Sequence, residues 1–581
     1  MKPNRAVPQG LTFIAGPILL LAVLTVVALA ARPLTPIDET RYVGVAWEMW
    51  LKGDYLVLFK NGEPYSHKPP LLFWLYNLGW AVTGVNEWWP RLVSPLLSLG
   101  GMALTLSIAR RLWPDDLDTG RNALWILASC LLWMLFSTSA MFDVMLTFCA
   151  LLGMRGLLIA ADGCVPARPP QGGASHNPER ALPANNRHPL PREGGRGAGS
   201  PAMRGFAWLA LAIGLGVLAK GPVILLHVLP VALLAPWWRP GLAWKRWHGG
   251  VLLAVLGGAA IALAWAIPAA LRGGEEYQRM IFWGQTANRM VDSFAHKRAF
   301  WWYLPLLPLL FFPWLLWPAL WRQLGALRKT GLDHGLRFCL SWLAPVFVFF
   351  SLISGKQIHY LVPLVPAFAL IAGHVLRDAK PHGLALPALL AGAAGLGMAY
   401  AGLAGLPDKP GMWQGFPWWP GALLMLAALL AGWSGRRENM RMPGLALLGA
   451  ALYAATLLTL SDNLWRRYDV HPLAEQLSEL QERGIPVANN GFYHGQFQFA
   501  GRLKKPIDEL LSPAEIAPWF AKNPGGMVII YDDPQPGESA PVFVQPYLGE
   551  HAMLMNAEQA GKRGLLREGL VPQPDKPKPV K

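Results

Sequence analysis

The chain is poor in charge. Only 15% of its 581 residues are Asp, Glu, Lys or Arg, whereas soluble domains carry about 25%. It is also poor in cysteine: four residues over the whole length cannot frame a disulfide scaffold, and none of them forms a credible metal pair. Apolar residues are plentiful instead, at 53%, with a mean hydropathy of +0.30. A soluble enzyme of this length would have negative hydropathy, and a disordered chain would be far less apolar. The apolar stretches are continuous rather than alternating, which argues against a transmembrane β-barrel. What remains is a polytopic α-helical membrane protein. The 28 Trp, Trp88-Trp89 and Trp301-Trp302 among them, then read mostly as interfacial belt residues.

The formal net charge of +16 resembles a nucleic-acid signal until it is located. Residues 461–581 hold 13 Lys and Arg against 15 Asp and Glu, so the first 460 residues carry +18. Membrane proteins gather Lys and Arg in short cytoplasmic loops. Runs long enough to cross a hydrocarbon core of about 30 Å fall near 11–31, 90–109, 122–138, 141–160, 205–219, 222–237, 249–270, 301–320, 338–353, 360–376, 383–404, 419–433 and 443–460. Thirteen spans are expected. The Lys and Arg clusters fall on alternate connections, for example Arg110, Arg111 and Arg121, then Arg239, Lys245 and Arg246, then Arg436, Arg437 and Arg441. The first loop of the other set, 32–89, has five basic and six acidic residues. This parity puts the N-terminus inside and the last 120 residues outside, with no nucleic-acid partner. Lys2, Arg5 and Ala28-Leu29-Ala30 also resemble a secretory signal, but the apolar run is long enough to favour an uncleaved first helix.

The organisation expected is a transmembrane catalytic region over 1–460 and a small outer α/β domain over 461–581. Residues 162–204, rich in Gly, Pro, Arg and Asn, read as a flexible cytoplasmic insertion. Residues 39–51 read as an amphipathic interfacial helix with Tyr42, Ala46, Trp47, Trp50 and Leu51 on one face, and 71–84 as a re-entrant or interfacial helix. In the outer domain the pattern predicts helices near 472–484 and 513–521, and strands near 485–488, 492–500 and 527–531. A Pro/Lys tail follows Val571.

Charge at membrane depth is costly and usually functional or paired. The unusual charged and polar residues collect on the outer side: Asp38, Glu39 and Arg41; His67 and Lys68; Asp143; Lys220; Arg289; and Lys356, His359 and Tyr360. Cations and carboxylates gathered there suit a phosphate whose tail is lipid. Each residue by itself also has a plainer reading. Asp38 can cap the 39–51 helix, Lys68 and Lys356 can snorkel, His67 can be a loop histidine, and Lys220-Gly221-Pro222 can be a turn. Asp143 resists such a reading, having no cation near it in sequence.

The runs Asp38-Glu39-Thr40-Arg41-Tyr42, Gly53-Asp54-Tyr55 and Tyr65-Ser66-His67-Lys68-Pro69-Pro70 resemble one family closely. They are similar to the bacterial lipid A aminoarabinose transferases and their relatives in the protein O-mannosyltransferase superfamily. Met141-Phe142-Asp143, Ala219-Lys220-Gly221-Pro222 and the stretch from Gly355 to Pro363 extend the resemblance in the right order. It implies a GT-C glycosyltransferase of the bacterial inner membrane that takes a sugar from an undecaprenyl phosphate carrier to a periplasmic acceptor, lipid A first. On that pattern Asp38 and Asp143 are catalytic acids, and Arg41, Lys68, Lys220 and Arg289 surround the donor phosphate. Glu39, Tyr42, Lys356 and Tyr360 line the site. The chain departs from the family where Glu-Lys-Pro-Pro is common, showing His67-Lys68-Pro69-Pro70, and carries Thr286 about where the aminoarabinose transferases have a His. Those two family positions are associated with a divalent metal. His67 remains a candidate zinc ligand, but weak zinc binding is expected, with Arg and Lys neutralising most of the phosphate. The competing readings are a transferase acting on protein or another envelope glycan, and a lipid-linked sugar flippase. The flippase fits less well: transporters place charges near the midplane within internal repeats.

Overall fold

The computed structural model describes residues 12–165, 201–284, 297–377, 384–404, 415–460, 464–537 and 539–566. The insertion's core (166–200), Thr286, Arg289 and the Pro/Lys tail lie outside these. Among the described residues nine helices are long and apolar enough to cross a membrane, and a tenth span is a helix pair bent by 65°. That pair is α5 (Leu117–Ser129) and α6 (Leu131–Ser137), divided where Cys130 turns extended. The count of thirteen is not reproduced. The runs at 222–237 and 419–433 form only shorter apolar helices, α9 (Val223–Leu233) and Trp419–Ser434. The run at 301–320 forms no span-length helix, only Leu307–Leu310 and the 3-10 turn Trp314–Leu316 before a helix that opens at Pro318. Pro305, Pro308 and Pro313 explain this, because each lacks the amide hydrogen a helix needs and crowds the preceding turn.

Two long helices decide where the charged residues meet. Helix α7 (Asp143–Cys164) runs antiparallel to α8 (Pro201–Lys220), and small residues allow a close crossing. A Cβ on Gly205 would lie 2.2 Å from the Ala160 amide nitrogen, so the backbones touch there. The first residue of α7 and the last of α8 therefore share one end of the bundle.

The first loop folds against that same end. Helix α1 (Thr12–Ala31) leads to α2 (Asp38–Lys52), which Gly53 ends with φ 62°. Asp38 is the first residue of α2, and its carboxylate accepts from the Arg41 and Tyr42 side chains of the same helix. A two-stranded hairpin, β1 (Phe59–Lys60) and β2 (Glu63–Pro64), turns at Asn61-Gly62, both at positive φ as this turn requires. Then come α3 (Leu71–Thr83) and α4 (Trp88–Leu112). The apolar face of α2 is covered by protein, not by the lipid interface: Tyr42, Ala46 and Trp47 are buried in one cluster with Phe73 and Trp80 of α3 and Phe499 of the C-terminal domain.

The C-terminal domain holds a five-stranded sheet built from β3 (Val487–Asn490), β4 (Asp508–Leu510), β5 (Met527–Tyr531), β6 (Phe543–Tyr547) and β7 (Glu550–Met555). The strand order is β4-β3-β5-β7-β6, with β3 parallel to β4 and β5, and β7 antiparallel to both of its neighbours. Residues 492–500 form turns rather than a strand, since Gly491 and Gly495 both sit at positive φ. The domain grips the first loop through backbone groups. Trp47 Nε1 donates to Leu503 O at 2.9 Å, Asn61 Nδ2 to Ile507 O at 2.8 Å, and Lys60 Nζ to Tyr493 O at 2.7 Å.

A second contact is ionic. His471 bridges Asp469, at 2.7 Å from Nδ1, and Glu87 at the start of α4, at 2.8 Å from Nε2. Its hydrogen bonds to Asp469 and Glu87 push the imidazole up to about 10 despite partial burial. The stabilisation is therefore complete below the ordinary imidazole value of about 6.5 and fades as pH rises through about 10. These side chains are 25–39% exposed, so the contact is worth about 1 kcal/mol. His471→Ala should lower protease resistance of the C-terminal domain near neutral pH and change nothing near pH 11. An equal loss at both pH values would contradict the bridge.

Candidate active site

Asp143 opens α7, almost fully buried, and Lys220 closes α8; Lys220 Nζ lies 2.5 Å from Asp143 Oδ1. An acid at a helix N-terminus and a base at a C-terminus both favour their helix dipoles, which stabilises the pair at this end. Lys220 Nζ also lies 5.7 Å from the ring centroid of Tyr360.

Asp38, Arg41 and Tyr42 share one face of α2, at helical spacing. Arg41 pairs with Asp38, and Tyr42 donates its hydroxyl to Asp38 Oδ1 at 3.1 Å. Lys68, just before α3, stands 5.9 Å from the Tyr42 ring and 5.8 Å from the Phe142 ring, and these two rings meet edge to face at 4.8 Å. Aromatic faces hold an ammonium in place without cancelling its charge. The Asp143 carboxylate is within electrostatic reach of Lys68 and His359 as well as Lys220. One cluster thus brings together Asp38, Arg41, Tyr42, Lys68, Asp143, Lys220 and Tyr360.

Two expected lining residues face elsewhere. Glu39 is 1% exposed and turned away from the cluster. It binds Arg32 at 2.5 and 3.1 Å and accepts from the amides of Thr35, at 2.8 Å, and Ala140, at 2.6 Å. The amphipathic pattern puts Asp38 and Glu39 side by side in sequence, but adjacent helical residues point about 100° apart. Lys356 is buried and donates to the carbonyls of Arg298 and Ile353, so it fastens a loop. The sequence reading also left three neighbours without a role. Phe142 and Tyr65 carry no charge to mark them, and His359 showed only its outer position. Tyr65 lies beside Arg41 and stacks on His67 at 5.3 Å.

Asp143 Oδ2 and Arg41 Nε are buried and take no hydrogen bond among the described residues. Three cations and two carboxylates with spare bonding capacity suit an anionic ligand bearing polar groups. A metal fits less well. His67 is exposed, stacked on Tyr65 and adjacent in sequence to Lys68, and no group of three or more His, Cys, Asp or Glu among the described residues has metal-binding geometry. The donor set is not that of zinc.

The Glu39–Arg32 pair fixes α2 against the turn that leads into α7. Burial would raise the Glu39 carboxyl, but Arg32 and Thr35 outweigh it and hold the group at about 2. The folded value is depressed, so this contribution is lost only as pH falls towards 2. Glu39→Ala strands the Arg32 charge and should cost about 3–5 kcal/mol in detergent unfolding experiments. Arg32→Met combined with Glu39→Gln should cost less than Glu39→Ala. A double variant less stable than Glu39→Ala would refute the ion-pair account.

No family model matches the chain. A curated protein of Pseudomonas aeruginosa (strain UCBPP-PA14), named undecaprenyl phosphate-alpha-4-amino-4-deoxy-L-arabinose arabinosyl transferase, is 31% identical over 379 residues, covering 64% of this chain and 60% of that protein. A protein of the same name from Edwardsiella ictaluri (strain 93-146) is 29% identical over 364 residues, covering 62% and 59%. The match thus spans about 60% of the length of these curated relatives. Among solved structures, ArnT from Cupriavidus metallidurans in the apo state matches with a TM-score of 0.68 at 19% identity, covering 94% of this chain and 97% of that one. The same protein bound to undecaprenyl phosphate gives 0.67, covering 94% and 98%. The chain is a multi-pass membrane protein with the ArnT-like GT-C fold, and its sequence is similar to the aminoarabinose transferases.

Proposed function

We propose that this protein is a glycosyltransferase that moves 4-amino-4-deoxy-L-arabinose from an undecaprenyl phosphate carrier to lipid A at the periplasmic face of the inner membrane. The observation that carries the reading is the cluster of Arg41, Lys68 and Lys220 with Asp38 and Asp143 at one end of the bundle. The relatives' names supply the donor and the sugar, and one matched structure holds undecaprenyl phosphate.

The chemistry follows from the residue types. As the anomeric carbon–oxygen bond breaks, negative charge grows on the departing phosphate. Cations fixed in a poorly hydrated site stabilise that charge most where it develops. Asp38, the more exposed acid at 48% of its side chain, is the one placed to meet an incoming acceptor, whereas Asp143 holds Lys220. Arg289, which the family resemblance adds to the phosphate contacts, lies outside the described residues. No step needs a metal.

Lys68→Ala and Asp38→Asn should each abolish transfer while leaving a folded, membrane-inserted protein. A charge-assisted phosphate contact is worth roughly 1.5–3 kcal/mol in binding, and more if it tightens in the transition state. Near-normal lipid A modification by both variants in a deletion strain would sink the assignment; Lys220→Ala and Arg41→Ala should be impaired too.

The proposed face sets a second expectation. With the parity of the basic loops, the N-terminus is cytoplasmic and the C-terminal domain periplasmic. A phosphatase fused after Lys581 should be active, and a reporter that works only in the cytoplasm silent. The reverse pattern would move the cluster to the wrong side of the membrane.

A further inference from the structure

We propose that His359 is the proton-transfer residue of this site, its imidazole taking the proton from the acceptor oxygen and delivering it to the departing phosphate. This rests on the glycosyl-transfer reading above and goes beyond the phosphate contacts. His359 lies in the 3-10 segment Ile358–Leu364, partly exposed, its ring held edge-on by Tyr360 at 4.7 Å and by Phe136 at 6.0 Å. Asp143, Lys220, Lys68 and Asp38 all lie within its electrostatic reach. The adjacent Tyr360, against which its ring stands, lies 5.7 Å from Lys220 Nζ, so His359 sits at the edge of the cluster.

The two acids are already engaged. Asp38 accepts from Arg41 and Tyr42, and Asp143 accepts from Lys220. A carboxylate paired with a cation is a weak base, and Arg and Lys are protonated at neutral pH. The His359 ring, by contrast, meets Tyr360 and Phe136 edge-on and makes no hydrogen bond among the described residues. A neutral imidazole without a hydrogen bond on its ring fits this role, because one nitrogen can accept a proton while the other donates one.

The step balances. The acceptor O–H bond breaks, and its oxygen forms the new bond to the anomeric carbon. The bond from that carbon to the phosphate oxygen breaks, its electron pair leaving with the phosphate. The proton passes from acceptor oxygen to imidazole and on to a phosphate oxygen, so His359 ends neutral as it began. No oxidant or further reactant is required, and the balance is the same for an acceptor hydroxyl or a singly protonated acceptor phosphate.

Other groups facing the ring complicate a pH profile and must be separated. Those within electrostatic reach are Asp143 from α7, Lys220 from α8, Asp38 from α2 and Lys68 before α3, with Tyr360 adjacent. The helix Leu131–Ser137 presents Phe136 to the ring, and Phe350 of His334–Leu352 packs on the adjacent Tyr360.

The test uses the purified full-length protein with undecaprenyl phosphate-linked aminoarabinose and lipid A, comparing wild type with His359→Gln and His359→Ala. Gln keeps hydrogen bonding and much of the volume but cannot relay a proton. Both variants should lower kcat by about 10²–10⁴-fold and leave undecaprenyl phosphate affinity within about threefold. The pH dependence of kcat should change in His359→Gln, and added imidazole should restore part of the rate in His359→Ala. Near-wild-type kcat with an unchanged profile in His359→Gln overturns the proposal. So does a loss of activity matched by an equal loss of undecaprenyl phosphate binding, which would make His359 a packing residue. A wild-type protein that binds undecaprenyl phosphate but transfers no sugar would fail the transfer reading itself, and the proton-transfer role with it.

Discussion

A carboxylate cannot be buried beside a bilayer without a partner, and the arrangement of this protein turns on how three of them are answered. Glu39 is met by the Arg32 guanidinium and backbone amides, Glu48 by the amides of Asn61 and Gly62, and Asp143 by Lys220. Each pairing joins different structural elements. Glu39 locks the start of α2 to the turn before α7. Glu48 shapes the hairpin that meets the C-terminal domain. Asp143 ties α7 to α8. Removing water from these groups costs several kcal/mol each, so the segments that carry them are held in one relative position. The candidate site is built from the parts that this requirement brings together.

The C-terminal domain belongs to the same arrangement. Its backbone carbonyls receive Trp47, Lys60 and Asn61 from the first loop, and Phe499 stacks on Trp80 of α3 at 5.3 Å. These contacts cover the back of α2, the face opposite Asp38 and Arg41. A close approach at Gly44, where a Cβ would stand 3.0 Å from Gly495 O, leaves no room for a larger residue. The α2 helix is thereby clamped from behind by the sheet domain, from its N-terminal end by Arg32, and from the side by α3. An Asp–Arg pair on a freely frayed helix end would sample many geometries; here its backbone is fixed, and the side chains alone remain to adjust to a ligand.

How much of this was legible in the sequence varies with the kind of information each residue carries. Loop parity and the cost of buried charge located Asp38, Arg41, Lys68, Asp143 and Lys220 at one end, and the structure brings those five together. The same reasoning could not separate Asp38 from Glu39, or Lys356 from Lys220, because placing a charge at a membrane edge does not say which partner it turns towards. Lys356 is satisfied by two carbonyls of a neighbouring loop, a long-range pairing without a sequence signature. The apolar run at 301–320 was misleading for a different reason: its composition passes as a span, while its prolines break the backbone. Residues 492–500 alternate like a strand, yet their aromatic side chains, Tyr493, Phe497 and Phe499, are buried from a chain of turns. Short strands such as β4 carry too few residues to show a period at all.

The charge count of the cluster bears on why acids sit among cations in a site proposed to take a phosphate. Arg41, Lys68 and Lys220 against Asp38 and Asp143 leave one net positive charge among the described residues. A sugar phosphodiester brings one negative charge and would make the assembly neutral, which is the favourable way to bury it. Cations without the acids would bind the product, a phosphate with up to two negative charges, more tightly than the substrate and retain it. With the acids present, no further cation among the described residues waits for the second charge, so there its growth is met by a tightening of existing contacts or by a proton. Differential stabilisation of this kind, weak for the ground state and strong only as the bond breaks, is what accelerates a reaction rather than merely retaining a ligand. The paired acids therefore limit the grip of the cations on the product, and they make a proton carrier at the edge of the cluster chemically useful.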